Sequence, residues 1–158
     1  MLKKVVSGGQ RGADQGGLAA AKDMGLETGG WVPKGWITLN GSNPTLSKLG
    51  LMEHSSSKYP PRTYSNVKDS DGTIRLAYDF GTPGELCTLK AIEFYNKPHF
   101  DIDLKDMPSV IEVFDWIDTN QIKILNIAGN AGKTKDEGTF IFNQVREYLN
   151  KVFKYALA

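Results

Sequence analysis

Short apolar runs alternate with stretches of helical period along the chain. Val5-Val6 lies in a strand that stops at Gly8-Gly9. A helix is expected from about residue 13 to residue 25, where Leu18, Ala21 and Met24 recur every three residues and Gly25 stands where a left-handed C-cap is wanted. Glu27 to Val32 reads as a strand, Arg62 to Lys68 as a short helix and Thr73 to Tyr78 as a strand. A helix over about 85–96 leads to a strand from Pro98 to Asp103. Pro108 opens the next helix, with Val110, Val113, Phe114 and Ile117 along one stripe. Ile122 to Ile127 is a fifth strand, and the final helix, about 138–155, turns Ile141, Phe142, Val145, Leu149 and Val152 inward.

Strands separated by helices pair in parallel through right-handed crossovers. The expected fold is therefore α/β: an open, doubly wound, mostly parallel sheet with helices on both faces, built as one domain over residues 1–158. Residues 36–61 break the alternation. Asn40-Gly41-Ser42-Asn43-Pro44, Ser55-Ser56-Ser57 and Pro60-Pro61 mark an irregular excursion with room for a short hairpin. In such sheets ligands lie beyond the carboxyl ends of the strands, at the switch in strand order. Those ends are 7–14, 31–35, 79–85 and 128–137.

Composition narrows the partners. The 19 Lys and Arg nearly cancel 18 Asp and Glu, so no global field favours nucleic acid or a membrane surface. Any anion must be held by local geometry. The apolar start is too short for a signal peptide, and no run nears the ~20 residues of a membrane span. One cysteine, Cys87, excludes an internal disulfide and fits a cytoplasmic setting; it reads as a small buried apolar residue. His54 and His99 are too isolated for a metal site, and none is expected.

Chemistry concentrates in the glycine-rich loops. Gly8, Gly9 and Gly12 open a helix, where backbone N–H groups and the helix dipole suit an anion, with Arg11 able to fork onto a phosphate. The spacing is not that of a dinucleotide fingerprint. Thr82 and Gly84 begin a second helix, as a phosphate nest or as a cap with Pro83 behind it. Glu85 there suits a ribose hydroxyl or a metal bridge better than a phosphate. The third loop, Gly129 to Lys133, resembles a P-loop but fails its spacing, because Ile127 stands where the first glycine belongs. Arg62 and Asn66 share a helix face. Trp31 and Trp36 flank Pro33-Lys34-Gly35, as stacking faces for a flat ring or as packing.

Ser7-Gly8-Gly9-Gln10-Arg11-Gly12-Ala13-Asp14, Gly29 to Gly35, Arg62 to Thr73 and Leu125 to Gly129 together resemble the molybdenum carrier family, in the right order over nearly the whole chain. That family belongs to a wider Rossmann-like group with cytokinin-activating phosphoribohydrolases and nucleotide-sensing domains. The resemblance implies a non-catalytic binding or carrier protein for a phosphorylated heterocycle, the molybdenum cofactor (molybdopterin) or a nucleotide. It places ligand contacts at Gly8, Gly9, Gln10, Arg11, Lys34, Arg62, Asn66 and the 81–88 loop with Thr82, Gly84, Glu85 and Thr88; Gly12, Gly129 and Lys133 join the candidate set from the glycine-rich loops themselves. The chain departs from the family at Gly35-Trp36-Ile37-Thr38, Pro83-Gly84-Glu85 and Asn130-Ala131, so two expected arginines are absent. The alternative is a nucleoside-monophosphate phosphoribohydrolase, whose Pro-Gly-Gly-x-Gly-Thr-x-x-Glu pattern Thr82-Pro83-Gly84-Glu85 echoes, with Glu85 stabilising a ribosyl cation. A pure interaction module would bind no small molecule. A homo-oligomer is expected, from the resemblance and from the apolar strip of Phe153, Tyr155 and Leu157.

Overall fold

A computed structural model describes residues 1–157. The element order is β1 (Lys4–Ser7), α1 (Ala13–Asp23), β2 (Glu27–Val32), β3 (Ile37–Thr38), β4 (Gly41–Ser42), a 3-10 turn (Pro44–Leu49), β5 (Leu51–Glu53) and α2 (Tyr59–Lys68). It continues through β6 (Gly72–Ala77), α3 (Pro83–Tyr95), β7 (His99–Asp103), α4 (Val110–Thr119), β8 (Ile124–Gly129) and α5 (Lys135–Ala156). The main sheet runs β5-β2-β1-β8-β6-β7, and every pairing in it is parallel. Its order reverses between β1 and β8, because β1 leads outward to β2 while the later strands fill the other side. That reversal opens the crevice expected of a doubly wound sheet.

The excursion holds more order than its breakers suggest. Ile37–Thr38 and Gly41–Ser42 form the short hairpin. Leu51–Glu53 then joins the main sheet as a sixth strand beside β2, with Gly30 opposite Leu51. Leu46 and Leu51 bury against Leu18 and Val32, closing a small core under the hairpin. Pro108 stands before α4 rather than inside it; Ser109 is the N-cap and accepts from the Glu112 N–H.

Two layers cover the sheet. α1, α4 and α5 pack together over a core that includes Val5, Ile74, Leu76, Leu125, Ile127 and Leu149. α2 and α3 pack on each other around Val67, Ala91 and Ile92. The strip at the end of α5 is partly core: Phe153 is fully buried, and Tyr155 meets Phe114 edge-on at 5.0 Å. Phe153 is therefore spent within the chain, while Tyr155 stays exposed. No helix among the described residues is long and apolar enough to cross a membrane.

Candidate functional site

The loop after β1 does not lie open for an anion. Its amides already have acceptors: the Gly9 N–H donates to Ser7 Oγ at 3.2 Å, Gln10 N–H to Asp14 Oδ2 at 3.1 Å and Arg11 N–H to Gln10 Oε1 at 3.0 Å. Ala13 N–H donates to the Asn130 carbonyl at 3.0 Å. Asp14, in the first turn of α1, is the loop's resident anion. The expectation that Gly8 and Gly9 present free donors is thus corrected, since the Gly8 N–H donates to Asp14 as well. Their lack of a side chain serves close approach instead. A Cβ on Gly12, whose φ is +84°, would come 2.4 Å from the Asn130 carbonyl oxygen, and one on Gly9 would press into Val32.

Arg11 is spent as well. Its Nε donates to the Ala131 carbonyl at 3.0 Å, Nη2 to Gly132 at 2.9 Å and Nη1 to Asn40 Oδ1 at 3.0 Å. It ties the hairpin to the loop after β8 instead of reaching a phosphate. Gln10 Oε1 adds to this by accepting from Leu39 N–H at 2.8 Å. Asn66 is buried and clamps β2: its Oδ1 accepts from Trp31 N–H at 2.8 Å, and its Nδ2 donates to the Trp31 carbonyl at 3.0 Å. Trp31 Nε1 donates to Asp69 at 2.9 Å, so that indole is fixed.

Arg62 is different. It rises from the first half of α2 and lies flat on Gly8, where a Cβ would fall 1.8 Å from its Nη1. Its nearest carboxylate, Asp14, is 3.9 Å away, a long and weak pairing for a side chain only 14% exposed. Its Nε is buried with no hydrogen-bond partner. The ring of Tyr59 sits 5.4 Å below the guanidinium. A largely dehydrated cation with an unfilled donor costs free energy unless an acceptor arrives.

Glu85 stands at the third position of α3, within electrostatic reach of Asp14. Thr82 caps that helix by accepting from Glu85 N–H at 3.4 Å, and Thr88 Oγ1 donates to the Gly84 carbonyl at 3.1 Å. Gly84 faces open space. Glu85 is only 3% exposed; Asn130 Nδ2 donates to its Oε2 at 3.4 Å, and Oε1 has no partner. Asn130 is held in turn by accepting from Tyr78 and Asp79 N–H groups. Behind Glu85, Arg75 pairs both oxygens of Asp101 at 2.8 and 2.6 Å and donates to the Glu85 carbonyl at 3.1 Å. Arg75 and Asn130, absent from the set expected from sequence, build the floor.

Burial dominates the titration of both acids. Burial pushes Asp14 up to about 6 against the opposing pull of Arg62 and of the Gln10 and Gly8 amides. It pushes Glu85 up to about 7, and the charge on Asp14 raises it further while Arg75 and Asn130 oppose. Asp14 ionises first, and its charge then helps hold the proton on Glu85. Burial also raises the half-buried Cys87 thiol, which is thus a poor nucleophile.

Asp14 links the two groups: Arg62, lying on Gly8, is its nearest cation, and Glu85, with Thr88 one turn further along α3, is within electrostatic reach of it. Lys34 belongs to a separate open recess of about 530 Å³ on the same rim, lined by Trp31, Lys34, Glu53, His54 and Ser55. Gly129 is a packing position: its φ is +155°, and a Cβ would lie 2.0 Å from the Leu76 carbonyl oxygen. Lys133 is exposed on the loop that Arg11 anchors. Among the described residues no three His, Cys, Asp or Glu side chains stand together as metal ligands.

Known proteins place this architecture. The model of the Circularly permutated YpsA SLOG family matches residues 5–153. The crystal structure of a putative molybdenum carrier protein from Syntrophus aciditrophicus SB is 33% identical and superposes with a TM-score of 0.80, over 99% of this chain and 96% of that one. No curated protein matches the chain. The Rossmann-like sheet, the glycine loop after β1 and a family match across almost every element agree, and the chain belongs to the circularly permutated YpsA family of SLOG proteins.

Proposed function

We propose that the protein binds and carries a phosphorylated heterocycle, the molybdenum cofactor or a nucleotide, in the crevice between Arg62 and the start of α3. The observation that carries this reading is Arg62, a buried guanidinium with an unfilled Nε and a carboxylate no closer than 3.9 Å. A phosphate or ring carbonyl there would supply the missing acceptor, as a charge-assisted bond in a partly dry site. Gly8 leaves room for the guanidinium, and Gly84 lets a ligand approach the α3 N-terminus closely. Lys34 adds a second cation on the rim. The name of the solved relative, a molybdenum carrier, fits cargo of this class. Co-purification tests the reading. Mass and absorbance of bound material, with molybdenum assayed, should reveal a phosphorylated heterocycle; an empty protein that also ignores added nucleotides and molybdopterin counts against it.

A second reading, a nucleoside-monophosphate phosphoribohydrolase, is favoured by one observation. Two buried carboxyl groups, at about 6 and about 7, sit within electrostatic reach of each other, as acid–base chemistry near neutral pH requires. Sustained release of adenine from AMP would establish turnover and reject the carrier role. The cytoplasm is the proposed setting, consistent with a single free thiol at Cys87. Self-association, implied by the family resemblance, should give a mass above that of one chain in light scattering.

A further inference from the structure

Arg62 stands beside one carboxylate and is bonded to none. Asp14 Oδ2 lies 3.9 Å from its Nη1, near enough to lend charge and too far to accept a hydrogen bond. Asp14 is buried and accepts from the Gln10 and Gly8 N–H groups instead. The charged or titratable groups coupled to Asp14 are Arg62 from α2 and Glu85 from α3. Arg11 of its own loop is turned to the carbonyls of Ala131 and Gly132. The Cys87 thiol of α3, which burial keeps protonated, is within electrostatic reach of Arg62. Charges here cancel in pairs, Arg62 with Asp14 and Arg75 with Asp101. An oxyanion that accepts from Arg62 Nε therefore finds no cation in surplus among these groups. It competes with Asp14 for the one already taken.

We infer that an oxyanion docking on Arg62 enters together with one proton, and that Asp14 is the group that takes it. The proton comes from solvent and converts the Asp14 carboxylate to the acid; no covalent bond to the ligand forms. Arg62 thereby exchanges its internal counter-ion for the ligand, and no second negative charge is left beside a buried carboxylate. The geometry enforces the coupling. Any oxygen bonded to the guanidinium stands inside the ~10 Å over which even exposed charges act, and buried charges are screened less. Two negative groups this close hold a proton between them. Asp14 starts near the threshold, since burial already brings it to about 6 and the ionised fraction of Glu85 adds repulsion. Because binding favours the protonated form of Asp14, affinity falls as pH rises. The reverse step gives release: loss of the proton restores the Arg62–Asp14 pair and expels the anion. This inference rests on the binding role proposed above and adds to it the second component of the load, a proton.

Calorimetric titration of the full chain with GMP at pH 7.5, repeated in buffers of different ionisation enthalpy, counts the protons. GMP is a dianion there, because a phosphate monoester loses its second proton near pH ~6. The wild-type protein should take up about 0.5–1 proton per GMP bound, and its affinity should fall at least about fivefold from pH 7 to pH 8.5. In Asp14→Asn, checked for folding by its thermal melt, uptake should drop below half of the wild-type value. That variant should also bind GMP at least about tenfold tighter at pH 8.5, since the internal competitor for Arg62 is gone. A purely structural role for Asp14 predicts weaker binding instead. A wild-type protein that binds GMP with no proton uptake, or unchanged uptake in a folded Asp14→Asn, would overturn the inference and leave the binding role standing. Absence of GMP binding would overturn both. Carboxyl-carbon NMR of the wild-type protein decides even if Asp14→Asn fails to fold. The Asp14 signal should move to its protonated position when GMP is added at pH 7.5, and a signal that stays at the carboxylate position would overturn the inference.

Discussion

Replacing Glu85 by Gln gives a direct reading of the strain stored in the crevice. The folded-state value of about 7 stands against an ordinary 4.5. Because the folded value is raised, the folded protein keeps a proton that the unfolded chain has already released. Stability is then fully present below pH ~4.5 and is lost as pH rises through about 7. A shift of roughly 2.5 units is about 3 kcal/mol in total, of which about 2.5 kcal/mol falls between pH 5 and pH 8. Asp14, raised to about 6, acts in the same direction at lower pH and adds about 1.4 kcal/mol over that span. Urea denaturation at pH 5, 6, 7 and 8 should show the wild-type protein losing stability across the series. Glu85→Gln should lose about 2.5 kcal/mol less over the same interval, whatever its stability at any single pH. Parallel curves for the two proteins would mean that Glu85 is ionised throughout, and the picture of a dehydrated acid without a partner would be wrong.

Other substitutions separate structural residues from ligand-facing ones. Asn66→Ala removes both bonds to the Trp31 backbone and should lower the unfolding free energy by about 2–3 kcal/mol in urea titrations. Gly129→Ala places a Cβ against the Leu76 carbonyl at positive φ and should cost more than about 3 kcal/mol, or prevent folding, as judged by circular dichroism. Arg11→Ala frees the hairpin and the loop after β8. It should speed amide exchange at 38–40 and 130–133 while changing nucleotide affinity by less than about threefold, because all three of its bonds are internal.

The main architecture was legible because its signals are local. β2 spans the residues expected for it, Glu27–Val32, and the α1 stop is set by Gly25, which adopts positive φ. β5 was hidden because three residues carry no period; Leu51–Glu53 becomes a strand only when β2 supplies a partner across the excursion. The site was legible in place but not in role. Glycine-rich loops at strand ends suit anion cradles by sequence, yet Asp14 turns back into the first one and uses its donors. Asn66, one turn after Arg62, has the spacing of a second contact of the same kind, whereas the backbone of Trp31 takes both of its amide atoms. Arg75 is silent in the sequence because it sits inside an apolar strand run; its burial depends on Asp101 from β7, a pairing that no local window contains.

Arg62 bears the central claim, so its removal is the sharpest test. Calorimetric titration of the wild-type protein with GMP should give saturable one-site binding that weakens at least about fiftyfold in Arg62→Met, which keeps the side-chain volume and loses the charge-assisted bonds. Unchanged affinity in a folded Arg62→Met would contradict the account.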